Sequence, residues 1–412
     1  MTIRSQIQDA INDPEKLEAL YRQNSKRFSK AYKDVLDTNP DSILLRAWEA
    51  RLNYSESTSP RLTTIDLIVM LLLCIAAGTL LKIPEWTTIK DAEFFPRFVA
   101  LIPMGAMFLY TMHLRQWPRV VTSAGIGVIA SLIVVMSITP SDWDDVFQLA
   151  SLNLPFLLWT LYGAARMNKE WRSTNARIEF IRFSGELIIH SGLFFIGGAV
   201  LLLLTSGLFE LLNIRTQWVF EYPAIYGLAS IPLVAAWATD TYSAARKLVP
   251  LLARIFSPLL LALIVAYMGA MALRIEELFQ DRSTLLIYNI LLLCVLTTAV
   301  FTLTGQKEKK GNKLENGIIS YMIGATLILD IMAIAAIGWR IFEFGITPNR
   351  MAVLGSNIVV FGNLLTMGLG YVHYWRKINT LESIEQRLAQ YLPVYTCWTL
   401  FSVLIQPWLF RN

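Results

Sequence analysis

Cysteine and histidine are scarce, with three of each in 412 residues. Cys74, Cys294 and Cys397 all lie inside apolar runs, so they offer neither a disulfide framework nor metal-ligand spacing. Each reads as a small apolar packing residue. His113, His190 and His373 fall in separate segments, and His190 reads as a packed neutral side chain. No metal and no cofactor are expected. Charge is sparse as well: charged residues make up 16% of the chain, against roughly 25% in soluble domains. The pattern G-x-x-x-x-G-K-[ST] is missing, which excludes an ATP-driven pump acting by itself. So are H-E-x-x-H, a nucleophile elbow and paired cysteines. Met1 to Arg61 is polar and charged, so no cleavable signal peptide is expected there.

Apolar sequence is abundant, at 55%. It comes in runs of about 17 to 25 residues, long enough to cross roughly 30 Å of hydrocarbon as helices. The runs do not alternate, so a membrane barrel is excluded. The fold expected is all-α: a polytopic α-helical membrane protein of about eleven transmembrane helices with a small N-terminal helical hairpin. The spans read as 65–83, 98–114, 120–138, 146–165, 187–211, 218–239, 257–273, 283–303, 317–339, 351–372 and 391–410. Pro155, Pro223 and Pro232 fall inside spans and mark them as broken.

Residues 1–64 form an N-terminal extension and 65–412 the multi-pass domain. Asp13-Pro14 opens a helix, and Asn39-Pro40 separates it from a second one carrying Leu44, Leu45, Trp48 and Leu52. A two-helix hairpin of this size cannot bury its own core. Residues 1–60 are therefore expected to dock on the membrane domain or on a protein partner.

Lys and Arg set the orientation. The N-terminal segment and the loops after even-numbered spans hold 27 of the 36, and the opposite side holds 9. This puts the N-terminus in the cytoplasm and the C-terminus outside. It also explains the net charge of +5 without nucleic acid. The segments 166–184 and 373–390 read as amphipathic helices lying along the cytoplasmic interface. There Arg166, Lys169, Arg172, Arg177 and Arg182 meet anionic head groups or simply fix topology. Membrane lipids are the expected partners.

One outward segment stands apart: W-R-I-F-E-F-G-I-T-P-N-R, Trp339 to Arg350. A second, L-R-I-E-E-L-F-Q-D-R, runs from Leu273 to Arg282. Arg274 aligns with Arg340, Glu277 with Glu343, Arg282 with Arg350 and Asn289 with Asn357. The shared pattern is R-I-x-E, a short loop, then R-x6-N-I, read as a parallel repeat of one helical hairpin. Lys82-Ile83-Pro84-Glu85 is a weaker echo. Arginine near hydrocarbon needs a partner or a polar cavity, and a Glu one turn on is within reach. Two readings stay open: paired locks holding the hairpins, or a site in which the arginines hold an anionic group. Asp330, inside the ninth span, is a candidate proton or ion site, or else a hydrogen-bonding partner for Asn363 or another span.

The residues R-I-F-E-F-G-I-T-P-N-R resemble the R-I-x-x-Y-G-[IL]-T-x-x-R signature of a bacterial polytopic membrane family, the domain-of-unknown-function family number four-one-five-three. Phe344 stands where that signature has Tyr. Asp281 to Leu293 also looks like that family. The resemblance implies a bacterial inner-membrane location and carries no established activity.

Function is open between two classes. One is a protein that binds or transports an anionic lipid or small molecule at the outward Arg/Glu site, with Asp330 coupling transport to protons. The other is a structural, sensory or assembly protein acting through the N-terminal hairpin. An enzyme acting on lipid-linked sugar or phosphate is a third reading, with Asp91, Glu93, Asp142, Asp144 and Asp145 as its acidic groups.

Overall fold

The computed structural model describes residues 3–23, 25–39, 41–57, 63–140, 144–211, 215–241, 245–272, 282–305 and 313–410. No strand occurs among them. The chain divides into two compact units, Met1–Thr64 and Ile65–Asn412.

The N-terminal unit has four helices where the sequence suggests two: α1 (Ile3–Asp9), α2 (Pro14–Gln23), α3 (Ser25–Thr38) and α4 (Ile43–Ser57). The apolar stripe from Leu17 to Val35 is divided between α2 and α3, and α1 supplies Ile7 and Ala10. These residues close a core with Phe28, Tyr32, Leu45 and Trp48, all buried. Aromatic rings dominate it, with Phe28 5.3 Å from Trp48 and 5.6 Å from Tyr21. The Tyr32 hydroxyl donates to the Leu45 carbonyl, and burial pushes its pKa up to about 12. The hairpin expected to lack a core thus has one, because two more helices cover it.

The second unit is a polytopic membrane domain of helices: α5 (Thr64–Leu81), α6 (Asp91–Phe98), α7 (Leu101–Leu114), α8 (Arg119–Ile138), α9 (Asp144–Met167), α10 (Thr174–Leu211), α11 (Ile225–Thr241), α12 (Ala245–Ala272), α13 (Arg282–Gly305), α14 (Lys313–Phe344), α15 (Pro348–Trp375) and α16 (Leu381–Leu400). Among the described residues, nine helical stretches are long and apolar enough to cross a membrane. The expected seventh and eighth spans fall on α12 and α13, whose apolar stretches are shorter, Leu252–Ala266 and Leu291–Thr304. Leu71, Val134, Leu193, Phe195 and Leu201 are exposed on α5, α8 and α10, as lipid-facing residues must be. The largest core joins residues of α10 and α12–α16.

Two expected interface helices are instead parts of spans. α10 runs unbroken for 38 residues, roughly 57 Å and nearly twice the hydrocarbon thickness. Its first turns bury Ile178 and Ile181 in the same core as Leu381, Ile384, Leu388 and Ala389 of α16. Arg182 Nη2 meets Glu385 Oε1 at 2.6 Å. The apolar faces of both segments therefore cover each other rather than lipid. Pro155 and Pro232 sit inside continuous helices, α9 and α11. The irregular turns are π-helical, Phe220–Ala224 around Pro223 and Phe401–Ile405 ahead of Pro407. A proline removes an N–H from the helical ladder, and both π turns stand at or just before one.

Three descending helices end alike. Gln116, Asn168 and Lys377 have φ of 48°, 53° and 60°. Six residues before each stands a tyrosine, Tyr110, Tyr162 and Tyr371, at most 1% exposed. A left-handed residue after the last turn reverses the chain there. These turns mark the basic end of the bundle; the opposite end is the hairpin end.

Phe28→Ala is expected to cost about 3–5 kcal/mol, comparable with the whole stability of a unit this small. Limited proteolysis of the full chain should then cut within residues 1–64 while the membrane domain survives. Protection equal to wild type would show that this core does not hold the unit together.

Candidate functional site

The segment Trp339–Arg350 is a tight connection at the hairpin end, and its sequence builds it. α14 stops at Phe344. Gly345 follows with φ +77°, a conformation that glycine adopts without Cβ strain. The Thr347 hydroxyl accepts from the Arg350 N–H at 3.3 Å as the N-cap of α15, and Pro348 opens that helix. The Arg350 guanidinium donates through Nη1 to the carbonyls of Phe344 (2.9 Å) and Gly345 (2.7 Å) and lies 5.5 Å from the Phe344 ring. It holds the orphan carbonyls at the end of α14. Gln406 Nε2 donates to the Pro348 carbonyl at 2.8 Å, fastening the connection to the C-terminal helix. Arg340 is half-buried and Glu343 is exposed. Asn357 is buried, and its Nδ2 has no hydrogen-bond partner.

The matching hairpin gives less. Arg274 and Glu277 lie outside the described residues. Arg282 and Asn289 fall in α13, and their side chains are likewise outside what is described. The third echo forms the i,i+3 pair: Lys82 Nζ is 2.6 Å from Glu85 Oε1. Lys82 also donates to the Glu221 carbonyl at 2.7 Å and sits 3.7 Å from the Tyr222 ring. A fourth cation at this end, Arg97, behaves as Arg350 does. It donates to the carbonyls of Glu93 (2.7 Å), Met136 (2.8 Å) and Thr139 (2.9 Å), closing the end of α8.

Asp330 is of another kind. It lies on the buried stripe of α14 between Thr326 and Ala333, with 0% exposure. Neither carboxyl oxygen has a hydrogen-bond partner. Asn363 is not its partner: that amide donates through Nδ2 to the Tyr395 hydroxyl at 2.8 Å. Among the described residues no three His, Cys, Asp or Glu side chains come together as a metal site. An isolated buried carboxylate costs several kcal/mol, so such a group carries a proton or meets a cation.

The basic end holds polar pairs between helices that the sequence reading missed. Arg166 grips Asp240 through two bonds of 3.0 and 2.5 Å and stacks 3.4 Å over the Phe183 ring, joining α9, α11 and α10. Beside it His190 Nδ1 meets the Thr239 hydroxyl at 2.9 Å. His113 meets Asp66 at 3.0 Å, tying α7 to α5. Arg254 meets Glu315 at 3.3 Å, tying α12 to α14. Asp240, an acid closing the apolar run of the sixth span, was the available signal. No protein-family model, curated protein or solved structure matches this chain.

Arg350→Ala should uncap two carbonyls held by a charged donor and cost about 1.5–3 kcal/mol. Glu343→Gln, at an exposed position, should stay within about 0.5 kcal/mol. Thermal unfolding in detergent compares them. Equal effects would remove the clamp role of Arg350.

Proposed function

We propose that this chain is a membrane carrier in which Asp330 holds a proton that couples the movement of an anionic lipid or small molecule. One observation carries the reading: a fully buried carboxyl in the middle of a membrane helix, with no hydrogen-bond partner on either oxygen. Ionisable groups at such positions are the usual sites of proton relay. The anionic ligand is supported by the cationic character of this connection, which carries Arg340 and Arg350 within twelve residues. The Arg350 guanidinium is itself engaged with the Phe344 and Gly345 carbonyls. The charge bias supports a cytoplasmic basic end, and the motif resemblance supports a bacterial inner membrane.

The test is infrared difference spectroscopy of the protein in lipid vesicles. The wild type should show the carbonyl stretch of a protonated carboxylic acid that Asp330→Asn lacks. An entrapped pH dye should report proton flux that depends on the same residue. A spectrum and a flux both indifferent to Asp330→Asn would end the reading.

A second reading is supported by the separate core of the N-terminal unit. We read it as an adaptor for a protein partner. Deleting residues 1–60 should abolish capture of that partner while the membrane domain stays folded. Capture that survives the deletion would exclude the adaptor.

A further inference from the structure

The R-x6-N spacing acquires a meaning once the register of α14 on α15 is fixed. The two helices are antiparallel. Asn316 Nδ2 reaches the Tyr374 hydroxyl at 3.4 Å, and Trp375 Nε1 reaches the Ser320 hydroxyl at 3.0 Å. Gly368 lies against Leu327 and Ile323. This register sets Asp330 level with about residue 362 of α15. It sets Asn357 some five residues, roughly 7–8 Å, nearer the hairpin end.

Asn357 is three turns from Gly368 and five from Trp375, so it lies on the stripe of α15 that meets α14. Arg350 is two turns earlier on the same stripe. From the hairpin end the interface therefore carries Arg350, then Asn357, then Asp330. Asn357 is 2% exposed with an unbonded donor, and Asp330 is 0% exposed with unbonded acceptors. The two are complementary, an open donor and open acceptors, and water commonly joins such groups where they stand too far apart to bond directly.

Toward the basic end the same interface is closely packed. Ile323, Leu364 and Met367 are buried without exposure, and Leu327 packs on Gly368. The polar groups on that side are Thr326, whose hydroxyl donates to the Met322 carbonyl, the buried Tyr371 hydroxyl, and then Ser320, Asn316 and Tyr374, with the Glu315–Arg254 pair beyond. Ser320 is ten residues from Asp330, roughly 15 Å. On α16, Tyr395 is engaged with Asn363, and Tyr391 donates to the Val359 carbonyl.

We infer that α14 and α15 enclose a water-binding site between Asn357 and Asp330 that opens to the hairpin end and exchanges the proton of Asp330 on that side. The inference rests on Asp330 as the proton-holding group. The test uses the full chain with Cys74, Cys294 and Cys397 replaced by alanine. Single cysteines at Ile334, on the hairpin side of Asp330, and at Leu327, on the other, are treated in vesicles with a small charged methanethiosulfonate. Ile334→Cys should be modified at least tenfold faster than Leu327→Cys. Asn357→Leu should slow hydrogen–deuterium exchange of the Asp330 carboxyl band at least tenfold, and Asn357→Gln should restore it.

Equal labelling of the two cysteines, or faster labelling at Leu327, overturns the inference. So does exchange indifferent to Asn357→Leu. If Asp330 gives no carboxylic acid band, the carrier reading fails first, and the cysteine pair still decides whether water enters from the hairpin end.

Discussion

Hydrocarbon offers no hydrogen bond to a backbone group, and every helix of the membrane unit must settle its own ends within that limit. Cationic side chains do much of this work. Arg97 takes the carbonyls that close α8, Arg350 those that close α14, and Arg182 the Thr304 carbonyl at the end of α13. Lys82 reaches the Glu221 carbonyl beside the π-helical turn at Pro223. The last carbonyls of a helix are its negative pole, so a cation placed there gains from both the hydrogen bond and the dipole. Scarce charge is thus concentrated where backbone polarity would otherwise stay open.

The basic end adds a second use of charge. Arg166–Asp240, Arg182–Glu385 and Arg254–Glu315 each join different helices, and the His113–Asp66 hydrogen bond joins two more. A guanidinium that touches both a carboxylate and a ring, as Arg166 does with Asp240 and Phe183, has its direction set by both. The overrun of α10 beyond hydrocarbon thickness has the same root. Once Ile178 and Ile181 find the apolar face of α16, that length of helix has no reason to lie down on the membrane.

Apolar runs made the helical membrane fold legible, because length and hydropathy alone decide whether a segment can cross. The partners of amphipathic segments were not legible. An apolar stripe on 174–184 looks the same whether it meets head groups or Leu381 and Ile384 of a distant helix. The N-terminal unit failed in the same way: periodicity from Leu17 to Val35 reads as one helix, and only tertiary packing divides it into α2 and α3. At the hairpin, the R-I-x-E pattern followed by a short loop and a second arginine marked the segment. That Arg350 would be spent on carbonyls depends on Gly345 turning them toward it, which spacing does not reveal.

Asp330 is set apart by contrast with these groups. The ion pairs and caps explain why their charges are tolerated, since each exchanges water for an oxygen or a counter-ion. Asp330 is the one Asp, Glu, Lys or Arg among the described buried groups left without a hydrogen bond. Nothing in packing requires it there. Leucine or asparagine would fill the stripe between Thr326 and Ala333 without the cost of desolvating an acid. A carboxyl in such a place is neutral while it holds a proton and strongly disfavoured when it loses one. The buried stripe of α14 thereby ties the stability of this arrangement to proton occupancy. The carrier proposed above would draw on that dependence.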